Sequence, residues 1–300
     1  MEPKRILVPT DFSDAANRAL EQALSLARTG AGEILVFHRL ASPVPMVVPP
    51  LTLGGGDFQE MGRLLDDYTR ELRDEASRKL AEYEKRAPRD VVLSTAIEDR
   101  FEANEAILRQ AREWKADLIL MGTHGRRGLD KLLIGSVATS VLHRAEQDVM
   151  LVRADSEIFA AGPDGGPILV PVDFSDHSQR ALGLARVLAS RYRATIELVH
   201  VVELLHTPFQ AGGLSSRFED SPALREKYEE ALREMLAGTE GGTHVAEGTV
   251  AGEILWWREK LGARLVVMGS RGLSGLKHLL LGSVAEKVAR FCEVPVLVVK

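Results

Sequence analysis

A nine-residue segment, ILVPTDFSD at Ile6–Asp14, returns as ILVPVDFSD at Ile168–Asp176. The offset is 168 − 6 = 162, and only Thr10 against Val172 differs. A second segment, GTHGRRGLDKLLIGSVA at Gly122–Ala138, returns as GSRGLSGLKHLLLGSVA at Gly269–Ala285 with every glycine in register. Its offset is 269 − 122 = 147, so the first half carries 162 − 147 = 15 extra residues between its two signatures. Internal duplication sets the architecture before any other reading. In a chain of 300 residues each copy is about one small domain long. The expected division is a first domain at 1–155, a linker at 156–166 and a second domain at 167–300. The Gly/Pro-rich AAGPDGGP at Ala160–Pro167 marks the junction.

Short apolar runs alternate with helical patterns in each copy. The expected strands are Arg5–Pro9, Glu33–His38, Val91–Ala96, Leu118–Gly122 and Val149–Val152, then Ile168–Pro171, Thr195–Val201, His244–Gly248, Leu265–Gly269 and Val296–Val299. Between the first two, Ala16, Ala19, Leu20, Ala23, Leu24 and Ala27 fall on one helical face. Continuous apolar strands separated by helices predict an α/β fold: a buried, doubly wound parallel sheet with helices on both faces, built twice. In TDFSD, Ser13 or Asp14 can cap the first helix, as Ser175 or Asp176 can in the second copy.

Composition fits that class, with 45% hydrophobic and 27% charged residues. A net charge of −5 gives no electrostatic case for nucleic acid or an anionic membrane. Cys292 is the single cysteine, so no intrachain disulfide forms and a reducing, cytoplasmic setting is expected. The N-terminal apolar stretch is too short for a signal core, and no run approaches the roughly 20 residues of a membrane span.

In doubly wound sheets ligands bind outside the carboxyl ends of the strands, where strand order reverses. Both repeated signatures fall at such ends, so Asp11 and Asp173 follow the first strand of their copies, and GTHG and GSRG follow the fourth. Gly122 and Gly125 let the backbone approach a ligand closely. Gly135–Ser136 then opens a helix whose free N–H groups and dipole favour phosphate. The same holds for Gly269, Gly272, Gly282 and Ser283. Glycine turns also end helices without any ligand, but the full spacing occurs twice, each time with a strand-end aspartate. Neither GxxxxGK[ST] nor GxGxxG is found at these sites, which removes ordinary P-loop and dinucleotide readings.

GxxG followed by nine residues and GS resembles the ATP-binding signature of the universal stress protein family, and PTDFS or VDFS resembles its first loop. The resemblance spans nearly all of both halves. It implies a five-stranded parallel sheet in order 3-2-1-4-5 per half and pairing of two such units through their last strands, within the chain or in a homodimer. It also implies ATP as ligand, with any Mg²⁺ arriving on the nucleotide. Pro171, Asp173 and Val201 would meet adenine or ribose in half two, as Pro9, Asp11 and Arg39 would in half one. Gly269, Gly272, Gly282, Ser283 and Val284 would hold ribose and phosphates, as Gly122, Gly125, Gly135, Ser136 and Val137 would in the first copy.

Half one departs from the pattern. Arg39 stands where the family usually has valine, the segment after its third strand is longer than EGTVAGEIL, and an equivalent of Gly248 is missing. Half two is therefore the surer ATP site. His38 and His200 read as structural, since no GxSxG nucleophile accompanies them, and metal spacings such as HExxH are absent. No catalytic residue is assigned, and hydrolysis should be slow at most. The expected function is an ATP-binding stress protein whose nucleotide state controls association or partner binding. Alternatives are a nucleotide-free interaction module and an adenine-nucleotide α-hydrolase type enzyme, whose PP-loop form would show SGGxDS. The surplus of half one includes the proline-rich Leu40–Phe58 segment, read as irregular. After it, Leu64, Leu65, Tyr68, Leu72, Ala76 and Leu80 form a helical stripe read as core.

Overall fold

The computed structural model describes residues 3–30, 32–41, 57–123, 134–160, 166–203, 222–272 and 281–300. Half one runs β1 (Arg5–Thr10), α1 (Asp14–Gly30), β2 (Glu33–Arg39), α2 (Asp57–Arg86), β3 (Val92–Glu98), α3 (Ala103–Glu113), β4 (Leu118–Gly122), α4 (Ser136–Arg144) and β5 (Asp148–Val152). Half two follows as β6 (Ile168–Pro171), α5 (Asp176–Tyr192), β7 (Ile196–Glu203), α6 (Pro222–Leu236), β8 (Gly241–Gly248), α7 (Val250–Lys260), β9 (Leu265–Gly269), α8 (Ser283–Phe291) and β10 (Val296–Val299).

Each half has strand order 3-2-1-4-5, and together they form one ten-stranded sheet, β3-β2-β1-β4-β5-β10-β9-β6-β7-β8. All pairs within a half are parallel. The halves meet where β5 and β10 pair antiparallel, Met150 opposite Leu297. The last strands thus join inside the chain.

Alternation along the strands divides the core into two layers. Ile6 and Val8 of β1 point into a cluster with α1, α2, α5 and α6, whereas Leu7 points into a second cluster with α3, α4, α7 and α8. Both clusters continue across the β5–β10 junction through Met150 and Leu297 on one side and Val149 and Val298 on the other. Cys292 is one of these buried core residues, and burial raises its thiol pKa.

One expectation is corrected. The stripe on α2 is core only in its C-terminal half: Ala76, Leu80 and Tyr83 are buried, but Leu64 is 60% and Tyr68 50% exposed. A 30-residue helix is about 45 Å long, whereas the seven-residue β3 is about 23 Å, so the first turns of α2 overhang the sheet. The first residues of the segment between the halves are tied down. Phe159 is fully buried, its N–H donates to Gln22 Oε1 at 2.8 Å and its carbonyl accepts from Gln22 Nε2 at 2.9 Å. Its ring lies 4.8 Å from that of Tyr192 in half two. Of the proline-rich segment, residues 42–56 lie outside the described residues.

Candidate functional site

The turn after β1 has the same construction in both copies. Asp11 Oδ1 accepts the Ser13 N–H at 3.0 Å, and Asp173 Oδ1 accepts the Ser175 N–H at 3.1 Å. Ser13 and Ser175, not Asp14 and Asp176, then cap the helices, accepting from the N–H of Ala16 at 3.3 Å and of Ser178 at 3.2 Å. The residue inside each turn has left-handed backbone, Phe12 at φ 64° and Phe174 at φ 65°. A bulky side chain in that conformation is strained and persists only when its surroundings hold it.

What holds it is the histidine at the end of strand two. His38 and His200 each place Nδ1 on the carbonyl of the first strand, 2.8 Å from Thr10 O and 2.7 Å from Val172 O. Their rings lie tilted against those of the phenylalanines, with centroids 4.5 and 4.8 Å apart. Tyr83 and Tyr228 complete the two aromatic clusters, each ring 6.0 Å from that of its phenylalanine. Burial lowers the His200 pKa, against the raising effects of its Val172 bond and Asp173. A folded state that binds fewer protons than the unfolded chain loses stability as pH falls through the ordinary value of 6.5. The melting temperature should therefore drop between pH 7.5 and 5.5. His200→Asn, which keeps a donor for Val172 O, should shrink that drop; an unchanged pH profile would remove His200 from the account.

The four glycines that the described residues place near these turns do different things. A Cβ at Gly122 would lie 2.7 Å from the Ala15 carbonyl carbon, and one at Gly269 2.9 Å from that of His177. These glycines let the first turns of α1 and α5 press onto the ends of β4 and β9. A Cβ at Gly272 would overlap Asp173 Oδ2, so the fourth-strand loop and the first-strand aspartate do converge on one crevice. Gly282 is different, because its φ of −82° and ψ of 150° suit any residue. Its Cβ would meet only Ser270 O at 3.4 Å and Arg271 Cα at 3.8 Å. Among the described residues nothing in the packing demands a glycine there.

Gly135 and Gly282 give their own N–H groups to Thr123 O and Ser270 O, both at 2.7 Å, which fixes the starts of α4 and α8 against the ends of β4 and β9. No side chain caps either helix. The N–H groups left for a ligand are those of Ser136 and Val137, and of Ser283 and Val284, with the serine side chains exposed. Beside α8 lie two buried polar atoms without a hydrogen-bond partner among the described residues, Ser270 Oγ and Arg271 Nε. Neither is among the residues that the sequence assigns to the nucleotide. Gly125, with His124, Arg126 and Arg127, lies outside the described residues.

The two base-side walls differ. Val201 packs on the second core cluster. At the matching place Arg39 is held by its Nε–H, donated to Phe101 O at 2.7 Å. Arg39 pairs in register with Glu98, and Val201 with Ala246. From those partners to the helix caps Glu102 and Thr249 is 102 − 98 = 4 and 249 − 246 = 3 residues, so half one is one residue longer here. Hydrogen bonds from the Arg100 side chain, then from its backbone, hold the Glu98 pKa at about 2.

Fold and site together define a tandem doubly wound protein in which each fourth strand leads to a helix end without a side-chain cap, and in half two the loop glycine Gly272 lies against the strand-end Asp173. The model of the universal stress protein family matches residues 2–153 and 166–300. The chain belongs to that family. It is similar to a universal stress protein of Mycolicibacterium smegmatis, 28% identical over 306 residues covering 98% of this chain and 96% of the relative. A Mycobacterium tuberculosis relative is 32% identical over 196 residues, an alignment spanning 62% of each chain. The crystal structure of a universal stress protein from Archaeoglobus fulgidus superposes with a TM-score of 0.67 at 25% identity, covering 100% of this chain and 99% of that one. Among the described residues no helix is long and apolar enough to cross a membrane, and no cluster of three or more His, Cys, Asp or Glu could hold a metal ion.

Proposed function

We propose that this universal stress protein binds ATP in half two and that its nucleotide state controls association or partner binding from the cytoplasm. The observation that carries the reading is the start of α8. An uncapped helix end follows a glycine that the packing of the described residues does not require, beside Ser270 and Arg271 atoms that have no partner among those residues, and across Gly272 from Asp173. A helix N-terminus of this kind favours phosphate through its free N–H groups and dipole.

The groups are spaced for a nucleotide. From β9 across β6 to β7 is two strand spacings, about 9.6 Å. Phosphates held at Ser283 and Val284, with Gly269 and Gly272 beneath, would put the sugar over Pro171 and Asp173 and the base against Val201. The matching set in half one is Gly122, Gly125, Gly135, Ser136 and Val137 for phosphates, Pro9 and Asp11 for sugar, and Arg39 at the base. Mg²⁺ would come with the nucleotide. The units are residues 1–155 and 167–300, joined through 156–166. His200 is tied to Val172 O, and burial lowers the pKa of both His200 and His177, which weakens each as a general base, so hydrolysis is slow.

Mass spectrometry of nucleotide released from the purified protein should find ATP or ADP. Finding none, with no heat on titrating ATP and Mg²⁺ into the stripped protein, would overturn the reading.

A further inference from the structure

We propose that the two halves read different bases: half two takes the adenine nucleotide, and half one takes a guanine nucleotide selected by Arg39. The proposal rests on the nucleotide reading above. The same two-strand step that brings a base to Val201 in half two, from α4 across Asp11, brings it to Arg39 in half one. Two positions that are small and apolar in half two, Val201 and Ala246, are Arg39 and Glu98 in half one, paired in register on neighbouring strands.

Glu98 does not neutralise Arg39. Its Oε1 accepts from Arg100 Nε at 3.1 Å and its Oε2 from Arg100 Nη2 at 3.3 Å, with the Asp99 and Arg100 backbone N–H groups adding 3.0 and 2.9 Å bonds. Among the described residues no carboxylate pairs with Arg39. Its one hydrogen bond among the described residues, from Nε to Phe101 O, orients the side chain and leaves the donors on both Nη atoms for a ligand. The loop that supplies this carbonyl is itself braced: Asp99 pairs with Arg73 of α2, and the Arg109 guanidinium lies 4.7 Å from the Phe101 ring centroid.

A guanidinium fork matches the adjacent O6 and N7 acceptors of guanine. Adenine offers a donor, N6–H, beside N7, so the same fork meets an N–H where it needs an acceptor. Val201 makes no such distinction and leaves an adenine to the strand backbone. The extra residue between Glu98 and α3 fits the change, since it supplies the turn that carries Phe101 to Arg39.

The test uses the full chain carrying Gly282→Val, which silences half two, with GTP and ATP titrated calorimetrically in Mg²⁺ buffer. GTP should bind half one at least about tenfold more tightly than ATP. Arg39→Val should reverse the order, and Arg39→Lys, which keeps the charge but not the fork, should abolish the preference. Equal or tighter ATP binding with Arg39 in place, a preference that survives Arg39→Val, or no binding of either nucleotide to half one would overturn the proposal. Failure of the unsubstituted chain to bind ATP in half two would instead overturn the nucleotide reading beneath it.

Discussion

Phe159→Ala should lower the unfolding free energy by about 3–5 kcal/mol, the usual cost of truncating a fully buried phenylalanine. The ring is wedged between the halves. It packs on Tyr192 of α5, while Gln22 of α1 satisfies both its N–H and its carbonyl and Ser25 Oγ donates to the same carbonyl at 3.1 Å. Tyr192 in turn donates its hydroxyl to Ser25 O at 3.2 Å. Because these contacts join the first helix of one half to the first helix of the other, truncation should weaken their coupling as well as total stability. Urea unfolding should show a lower midpoint, with the single transition broadening or splitting in two. A loss under about 1 kcal/mol with the transition still sharp would mean that the ring is not a shared core element. Gln22→Ala supplies a comparison, since it strips the buried Phe159 N–H of its partner and leaves the carbonyl only Ser25 Oγ, at about 1–3 kcal/mol, without opening an aromatic cavity.

That wedge also marks what the sequence leaves hidden. Duplication, alternating apolar runs and strand-end signatures carry architecture because they follow from periods of 2 and 3.6, which are local. Leu118–Gly122 and Leu265–Gly269 have the same bounds in the folded chain. Strands that outrun their apolar pattern do not: β8 begins at Gly241, where the ladder to Ile196 continues although glycine carries no strand signal. SEIF before the Gly/Pro run reads as linker because the neighbours that bury Phe159 are 137 positions away or in the other half. The overhang of α2 depends on a length mismatch between elements, which no residue reports.

The site divides along the same line. Asp11, Asp173 and the helix starts are legible because capping and glycine spacing are local rules. Only coordinates separate Gly269 from Gly282, which look alike in the repeat. Phe12 and Phe174 carried a readable signal, a bulky residue inside a capping turn in both copies. Their left-handed backbone and the histidine that holds it are tertiary facts.

Gly282→Val should abolish ATP binding in half two while leaving the chain folded, and Gly269→Val should do the reverse of the second part. At Gly282 the backbone is extended, its N–H bond to Ser270 O survives substitution, and a Cβ finds only ordinary contacts. The fold loses the modest preference for glycine over valine at a helix N-cap, about 1 kcal/mol. The methyl groups, however, stand over the N–H groups of Ser283 and Val284, where a phosphate must sit, so affinity should fall at least about a hundredfold. At Gly269 any Cβ lies 2.8–2.9 Å from the Cβ and carbonyl carbon of His177, and the α5 backbone cannot yield without lifting off β9. That variant should unfold at markedly lower temperature whether or not a ligand is present. Measured together, apo melting temperature and ATP stoichiometry separate a glycine kept for the chain's own packing from one kept for a ligand. An unchanged ATP stoichiometry in a folded Gly282→Val protein would move the phosphate site away from the start of α8.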